Sequence, residues 1–260
     1  MEAFGGDFSL GTLLFVMCGG FLSGFIDSIA GGGGLISLPV LLTAGLPPHY
    51  ALGTNKFSAT FGILMSSYQF WRAGKVDMHF VKKLLPFTFI GAGIGSVCML
   101  HLSAEILKPI IICALVATAV FVMTKRDWGS ISTYQGETRK KILLWCLIAF
   151  AIGIYDGFIG PGTGTFLIVG FVMTGFDFVV AAGNAKMLNM MSNITSFVLF
   201  VFWDKVLYGY GIAMAVSLFL GAYFGARLAI TKGSSFIRIV MLVVTSVLIG
   251  KLALNYLGVV

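Results

Sequence analysis

The feature that most constrains the fold of this chain is an internal duplication. The stretch GFIDSIAGGGG, which begins at Gly24, is matched by GIYDGFIGPGTG, which begins at Gly153. The aspartates of the two copies, Asp27 and Asp156, lie 129 positions apart. Internal repeats of this kind build binding sites where their copies meet. The chain is therefore expected to fold as two related halves with a site between them.

The duplication extends along the chain and carries polar residues with it. Asn55 and Asn184 share the spacing of 129, and after a one-residue insertion the spacing becomes 130. The matches at the new spacing are Lys56 with Lys186, Lys75 with Lys205, and GAGIGS from Gly91 with GAYFGA from Gly221. Each copy thus brings a carboxylate and an amine into an apolar region, which is typical of a membrane transporter.

The composition indicates a membrane protein. Of the 260 residues, 58% are hydrophobic and 10% are charged, whereas soluble domains carry about 25% charged residues. Several apolar stretches approach the roughly 20 residues that a helix needs to span a bilayer. Alternation with a period of two is not sustained, which argues against an outer-membrane barrel. We therefore predict an all-α, polytopic helical membrane protein.

Each copy is predicted to contain five helical segments, the first two of them short or broken. The predicted segments are 9–29, 34–45, 51–71, 82–102 and 105–124, then 141–158, 163–175, 183–203, 207–230 and 235–256. The first repeat covers residues 1–124, the second covers 141–260, and a polar cytoplasmic linker occupies 125–140. An odd number of segments per copy turns the second copy upside down, so the repeats are predicted to be inverted.

The positive charges indicate an orientation rather than a nucleic-acid partner. The net charge of +7 comes largely from three loops, which contain Arg72, Lys75, Lys82 and Lys83; Lys125, Arg126, Arg139, Lys140 and Lys141; and Arg227, Lys232 and Arg238. Basic loops are retained in the cytoplasm. The three loops are therefore predicted to be cytoplasmic and both termini to lie outside.

Runs of glycine and proline are predicted to interrupt the first helices of each copy. GGGG at 31–34 and GPGTG at 160–164 continue a helix poorly, because Gly costs about 1 kcal/mol per position and Pro about 3 kcal/mol. A break leaves backbone N–H and C=O groups without helical hydrogen bonds, and lipid does not tolerate such groups. The breaks are therefore expected to meet near the bilayer midplane and line a polar cavity. The alternative, that glycines only permit close helix packing, is preferred for the Gly91/Gly95 and Gly221/Gly225 pairs.

Four ionisable residues lie within apolar surroundings: Asp27, Lys56, Asp156 and Lys186. A charge at mid-membrane costs at least about 2.5 kcal/mol, so it normally faces a cavity or a partner. One interpretation is a pair of structural Asp–Lys ion pairs. Another is that the lysines and asparagines bind a small oxyanion while the aspartates titrate. The two interpretations are compatible, and both stay open at this point.

The predicted site combines these charges with the backbone of the breaks. Its substrate-binding residues are Lys56, Lys186, Asn55, Asn184, Gly32, Gly33, Gly162 and Thr163, and its coupling or gating residues are Asp27 and Asp156. Helix N-termini that follow the breaks would add N–H donors and positive dipole ends. The cysteines and histidines lack the spacing of metal ligands, and no catalytic set is recognisable. No catalytic residue, metal, cofactor or enzymatic activity is predicted.

The motifs GFIDSIAGGGG…ALGTNKFSATFG and GIYDGFIGPGTGTF…GNAKMLNMMSNITSFVLF resemble the TauE/SafE (sulfite exporter, or TSUP) family of bacterial inner-membrane transporters. The resemblance covers essentially the whole chain and is closest to a branch of uncharacterised probable transporters. It implies a secondary transporter or exporter of sulfite, sulfonates or other small organosulfur anions, driven by the membrane potential or an ion gradient. Protons are the candidate coupling ion if the aspartates titrate. Membrane lipids are the other expected partners, and the oligomeric state is left open. The alternatives are an uncoupled, channel-like anion conduit and a transporter of a non-sulfur organic anion.

Overall fold

The computed structural model of this chain describes residues 9–124, 134, 136 and 138–256, and it contains no strand among them. Its helices are α1 (Leu10–Ala30), α2 (Gly34–Thr43), α3 (Pro48–Arg72), α4 (Met78–Leu100), α5 (Ala104–Thr124), α6 (Arg139–Phe158), α7 (Thr163–Met173), α8 (Phe178–Phe202) and α9 (Tyr208–Tyr256). Gly233, at φ 76°, divides α9 into two segments, close to the predicted gap between 230 and 235. The all-α prediction is confirmed, while most of the predicted linker lies outside the described residues.

Five of the described helices are long and apolar enough to cross a membrane. They are α1, α4, α6, α8 and the first segment of α9, Tyr208–Ser234. The helices α2 and α7 contain only 10 and 11 residues, so at about 1.5 Å per residue each covers roughly half of a 30 Å hydrocarbon core. The fold is therefore that of a polytopic helical membrane protein with a short helix after each break.

Helices α3, α4 and α8 begin three to five residues earlier than the sequence predicted. Their first turns are stabilised by residues that the sequence analysis assigned to the preceding connection. Pro48 is the first residue of α3, where its missing N–H removes no intrahelical hydrogen bond. Asp77 precedes α4 and accepts a hydrogen bond from Phe80 N at 3.1 Å. Asp177 precedes α8 and accepts one from Val179 N at 2.9 Å. Carboxylates in this position satisfy N–H groups that the helix itself leaves unpaired.

Helices α4 and α6 pack backbone against backbone through glycine. A Cβ atom at Gly91 would lie 2.3 Å from Phe150 O, and one at Gly95 would lie 2.1 Å from Ile154 O. Both distances are far below a normal contact, so only glycine permits this approach of the two helices. The numbers of the contacting residues rise together along both helices, which therefore run parallel. We call this contact the α4–α6 seam.

Helices α1 and α9 make the matching contact. A Cβ atom at Gly221 would lie 2.1 Å from Phe21 O, and one at Gly225 would lie 2.3 Å from Phe25 O. These helices also run parallel, and we call their contact the α1–α9 seam. The packing role predicted for the two glycine pairs is confirmed. Each seam joins a helix of the first half to a helix of the second half.

Polar side chains are concentrated inside the bundle, whereas much of its outer surface is apolar. Large apolar side chains are exposed on several helices, among them Leu143, Leu147, Phe202, Phe219 and Ile239. Fully buried polar groups include Thr54, Ser58, Ser66, Asn184 and Lys186. A surface of this kind suits hydrocarbon rather than water. The buried polar groups mark the region where a functional site is expected.

We predict that Gly95→Ala lowers the free energy of unfolding by about 1–3 kcal/mol, because the new methyl group forces the α4–α6 seam apart. Gly93→Ala is the matched control on the same helix, since its Cβ would lie 3.9 Å from the nearest atom, Thr195 Cγ2. Alanine at this control position is neutral or stabilising through its higher helix propensity. Thermal unfolding of the two variants in detergent gives the comparison, and equal midpoints would contradict the packing argument.

Candidate functional site

The predicted breaks are present, and each contains glycine in a left-handed conformation. Helix α1 ends before Gly31, which has φ 79°, and α6 is followed by Gly160 and Gly162 at φ 93° and 79°. The sequence analysis is confirmed for residues 31–33 and 160–162. It is wrong for Gly34 and for residues 163–164, which form the first turns of α2 and α7. The short helices thus begin immediately at the breaks.

The two breaks are in direct contact. Thr165 N donates a hydrogen bond to Gly31 O at 3.1 Å, and Thr165 Oγ1 donates to Ala30 O at 2.9 Å. A Cβ atom at Gly31 would lie 2.4 Å from Gly164 C, so a side chain would separate them. The backbone oxygens freed at the end of α1 are therefore satisfied by the start of α7, as burial away from water requires.

Two buried ion pairs cross between the halves at this contact. Lys56 Nζ on α3 lies 2.9 Å from Asp156 Oδ1 on α6. Lys186 Nζ on α8 lies 2.5 Å from Asp27 Oδ2 on α1, and it also donates to the backbone oxygen of Asp27. Each lysine is thus paired with the aspartate of the other half. The structure brings together all four ionisable residues that the sequence analysis singled out.

Each aspartate also contacts the beginning of the short helix that follows it. Gly33 N, just before α2, donates to Asp27 Oδ1 at 3.1 Å. Thr163 Oγ1, on the first residue of α7, donates to Asp156 Oδ1 at 2.9 Å. The N-terminal end of a helix favours negative charge. The helix starts that were expected to face a bound anion therefore face the protein's own carboxylates.

The two ion pairs differ in their surroundings. Asp156 accepts further hydrogen bonds from Ser192 Oγ and from Asn193 Nδ2, the latter at 3.2 Å, and its side chain is 3% exposed. The side chain of Asp27 is 15% exposed. Asp156 is therefore fixed by more donors, while Asp27 is the more accessible of the two carboxylates.

The sequence analysis did not identify the polar face of α8 that provides these donors. Asn189, Ser192 and Asn193 follow Lys186 at the three- and four-residue spacing of one helix face. The positions of α3 that correspond to Asn189 and Asn193 at the spacing of 130 are Ala59 and Ile63. A search for polar residues with helical periodicity in an apolar segment would have found this face.

A cavity of about 40 Å³ lies between the breaks, with room for about three waters. Of the predicted site residues, those that line it are Asp27, Gly33, Asn55, Lys56, Asp156 and Gly162. Four other predicted residues, Gly32, Thr163, Asn184 and Lys186, do not line it. Asn189 and Asn193 complete its polar wall. The prediction that the breaks line a polar cavity is confirmed.

The two predicted asparagines are placed differently. Asn55 lines the cavity, is 5% exposed, and its Oδ1 has no hydrogen-bond partner among the described residues. Asn184 is fully buried, and its Oδ1 accepts from Asp77 N at 2.8 Å. Thr54 Oγ1 makes the matching contact with Leu207 N at 3.0 Å. The structure therefore matches Asn184 with Thr54 at the spacing of 130, which corrects the match with Asn55.

Buried charges around a central cavity in a polytopic helical fold are typical of membrane transporters. Residues 16–252 match the family described as Sulfite exporter TauE/SafE, and the chain belongs to this family. A Haemophilus influenzae protein called "Probable membrane transporter protein" is 34% identical, over 95% of this chain and 96% of the relative. The "Probable membrane transporter protein YfcA" of Escherichia coli K12 is 37% identical, over 94% and 89%.

A more distant similarity extends to plants. The "Sulfite exporter TauE/SafE family protein 3" of Arabidopsis thaliana is 26% identical over 45% of this chain and 25% of its own length. No solved structure shows a significant match to the chain. The family is thus established by the match along the chain and by the bacterial relatives, which cover almost all of it.

We predict that Asp156→Asn lowers the free energy of unfolding by about 3–5 kcal/mol, because it leaves the buried ammonium of Lys56 without a counter-charge. The double variant Asp156→Asn/Lys56→Met should recover most of this loss, since neither charge remains. Asp204→Asn is the matched control, because Asp204 is exposed and has φ 50°, a conformation that asparagine tolerates. Thermal unfolding measures all three variants, and a double variant no more stable than the single one would contradict the pairing.

Proposed function

We propose that this protein is a secondary transporter of small sulfur or organosulfur oxyanions, such as sulfite or sulfonates, that works by alternating access. The observation that carries the proposal is the pair of reciprocal Lys–Asp contacts where the two helix breaks meet. Symmetric charges around a central cavity are what a carrier needs to expose one site to two sides in turn. The family's description as sulfite exporters supports a sulfur oxyanion and export as the direction.

The paired charges suggest how an anion enters a site that already contains carboxylates. The cavity region holds two lysines and two aspartates, so its formal charge is zero. An added anion would leave one negative charge uncompensated in a low-dielectric interior, which is costly. A proton that binds an aspartate removes this cost and frees the lysine for the anion. We therefore infer that one proton accompanies each monovalent anion.

Asp27 is the better candidate for this proton. Its side chain is the more exposed of the two aspartates and lines the cavity, where Lys56 and Asp156 also face it. Its direct partner is Lys186 Nζ. When Asp27 is neutral, Lys186 has no counter-charge, and the movement that opens the cavity exposes it to the anion. Asp156, which is held by more donors, then remains the fixed counter-charge of Lys56.

Asn55 and the backbone of the breaks supply the uncharged contacts. The side-chain amide of Asn55 lines the cavity, and no group in the described part of the chain pairs with its oxygen. Either end of the amide can be turned towards a ligand, so it can donate to an oxyanion or accept from its protonated form. The glycines of both breaks line the same space, where the backbone can approach a ligand closely. These groups suit a compact oxyanion better than a cation.

Alternating access requires the groups around the cavity to separate first on one side and then on the other. The observed cavity has room for only about three waters, so an organic sulfonate larger than this requires such a movement. We propose that the two halves are inverted repeats, in agreement with the matching seams and the matching ion pairs. An uncoupled anion conduit and a carrier of non-sulfur organic anions remain the alternatives that transport measurements separate. We assign the protein to the bacterial inner membrane and propose no enzymatic role.

We predict saturable uptake of sulfite into liposomes that contain the protein, with a rate that depends on the proton gradient at fixed membrane voltage. Lys56→Ala and Lys186→Ala should each raise the half-saturating concentration about ten- to hundredfold, because each removes a charge-assisted contact. Asp27→Asn should flatten the pH dependence, since asparagine keeps the shape but does not titrate. Lys82→Ala, at an exposed position, is the control and should leave transport unchanged.

The outcomes of this experiment distinguish the alternatives. Flux that rises linearly with concentration and ignores the proton gradient would identify a conduit. Saturable uptake of carboxylates but not of sulfite, thiosulfate or sulfonates would identify a carrier of another anion class. Well-folded lysine variants with unchanged half-saturation would remove the lysines from the binding site. Each rate is compared at equal amounts of monodisperse protein, so that a folding defect is not counted as a transport defect.

We predict that both termini face the periplasm, because the positive-inside rule assigns the three basic regions to the cytoplasm and the predicted number of crossings is even. Alkaline phosphatase fused to the C-terminus should be active, since this reporter works only after export. A fluorescent protein fused at the same position should be dark. The opposite result would reverse the orientation and with it the argument for inverted repeats.

A further inference from the structure

A second, larger cavity lies on the outer surface, far along α3 and α9 from the paired charges. Its volume is about 350 Å³, and it forms a groove between the last turns of α3 and the end of the first segment of α9. The residues that matter here are Met65, Tyr68 and Arg72 on α3 and Tyr223, Arg227 and Ile230 on α9. We call this feature the arginine groove.

The arginine groove combines positive charge with apolar side chains. Arg72 and Arg227 supply two positive charges, and Met65 and Ile230 supply part of the apolar wall. Within the part of the chain that the structure describes, neither guanidinium forms an ion pair with a carboxylate. Arg72 has only a long contact of 3.5 Å with Tyr68 Oη. No carboxylate of the described residues therefore competes with an anionic partner for the two guanidinium groups.

The charge of the groove is not explained by the duplication. The positions that correspond to Arg72 and Arg227 at the spacing of 130 are Phe202 and Val97. The matching region of the other half is therefore apolar, although the seams and the ion pairs are repeated in both halves. The two arginines are therefore present at one of the two related regions and absent from the other.

The aromatic residues of the groove indicate its depth in the membrane. Tyr68 and Tyr223 line it, and Trp71 lies beside Tyr68 with ring centroids 6.4 Å apart. Tyrosine and tryptophan are enriched at the level of lipid headgroups. Arg72 is the last residue of α3, and Arg227 lies in the last turns of the first segment of α9. We assign both of these helix ends to the cytoplasm. The groove thus opens where lipid phosphates of the inner leaflet lie.

We propose that the arginine groove binds the headgroup of an anionic phospholipid. The planar guanidinium groups match phosphate oxygens in a bidentate manner, and basic pockets between helices on the cytoplasmic side are suited to anionic headgroups. The glycerol and upper acyl chains lie on the apolar wall. The lipid bridges α3 and α9, which are already joined there by the hydrogen bond from Gln69 Nε2 to Tyr223 O at 3.0 Å. Its binding stabilises this end of the bundle.

The test measures lipid binding to the purified full chain, without any transport reading. Native mass spectrometry counts phosphatidylglycerol and phosphatidylcholine bound per protein, and thermal unfolding in detergent gives the stabilisation by each lipid. Wild type is compared with Arg72→Gln/Arg227→Gln and with the control Lys82→Gln/Lys232→Gln. The control removes the same total charge from exposed positions that do not line the groove. Arg72→Lys/Arg227→Lys keeps the charge but not the bidentate geometry.

We expect wild type and the control Lys82→Gln/Lys232→Gln to bind phosphatidylglycerol at least tenfold more tightly than phosphatidylcholine. The arginine-to-glutamine variant should lose this preference, and the arginine-to-lysine variant should be intermediate. The proposal is overturned if the glutamine variant keeps the preference, or if the control loses as much. It is equally overturned if inorganic phosphate or glycerol phosphate stabilises the protein as well as the lipid does, because the groove would then be a site for free anions. If the glutamine variant does not fold, Arg72→Gln and Arg227→Gln are measured singly against the same criteria.

Discussion

The buried contacts between lysine and aspartate are the interaction on which the other features of this protein depend. Each contact joins the two halves, and each lies where a helix is interrupted. An isolated charge in this environment would cost several kcal/mol. The halves therefore separate around the cavity only if another ion replaces the partner that is withdrawn. This requirement makes the charges the main restraint on the bundle and, in the transport mechanism that we propose, the point at which a substrate ion acts.

The glycines of the breaks make this charge arrangement possible. A Cβ atom at Gly160 would lie 2.6 Å from Asp156 Oδ1 and 2.8 Å from Lys56 Nζ, and the residue has φ 93°. Any side chain here would be strained in its backbone and would collide with the ion pair. At Gly31 the same freedom lets the two breaks touch. The irregular backbone is thus needed both to turn the chain and to leave space for the charges.

The sequence predicted those parts of the structure that depend on local composition or on the duplication. The helical segments, the breaks, the packing glycines and the four ionisable residues could all be recognised in this way. The choice of partners could not, because the spacing does not reveal that Lys56 meets Asp156 and Lys186 meets Asp27. The position of Asn184 was also out of reach, since a one-residue difference in alignment decides whether an amide faces a cavity or a neighbouring loop. Helix starts at Asp77 and Asp177 were missed because capping carboxylates resemble ordinary polar connections.

The two glycine seams have a consequence for how the molecule can move. Each seam joins one helix from each half. The two backbones are so close that a sliding movement would bring side chains into the space that only glycine leaves free. A motion that kept each half of the sequence rigid would have to open both seams at once. A motion that keeps the seams closed instead carries α1 with α9 and α4 with α6. The rigid bodies of such a movement each contain helices from both repeats. The boundary between the rigid bodies therefore differs from the boundary between the repeats.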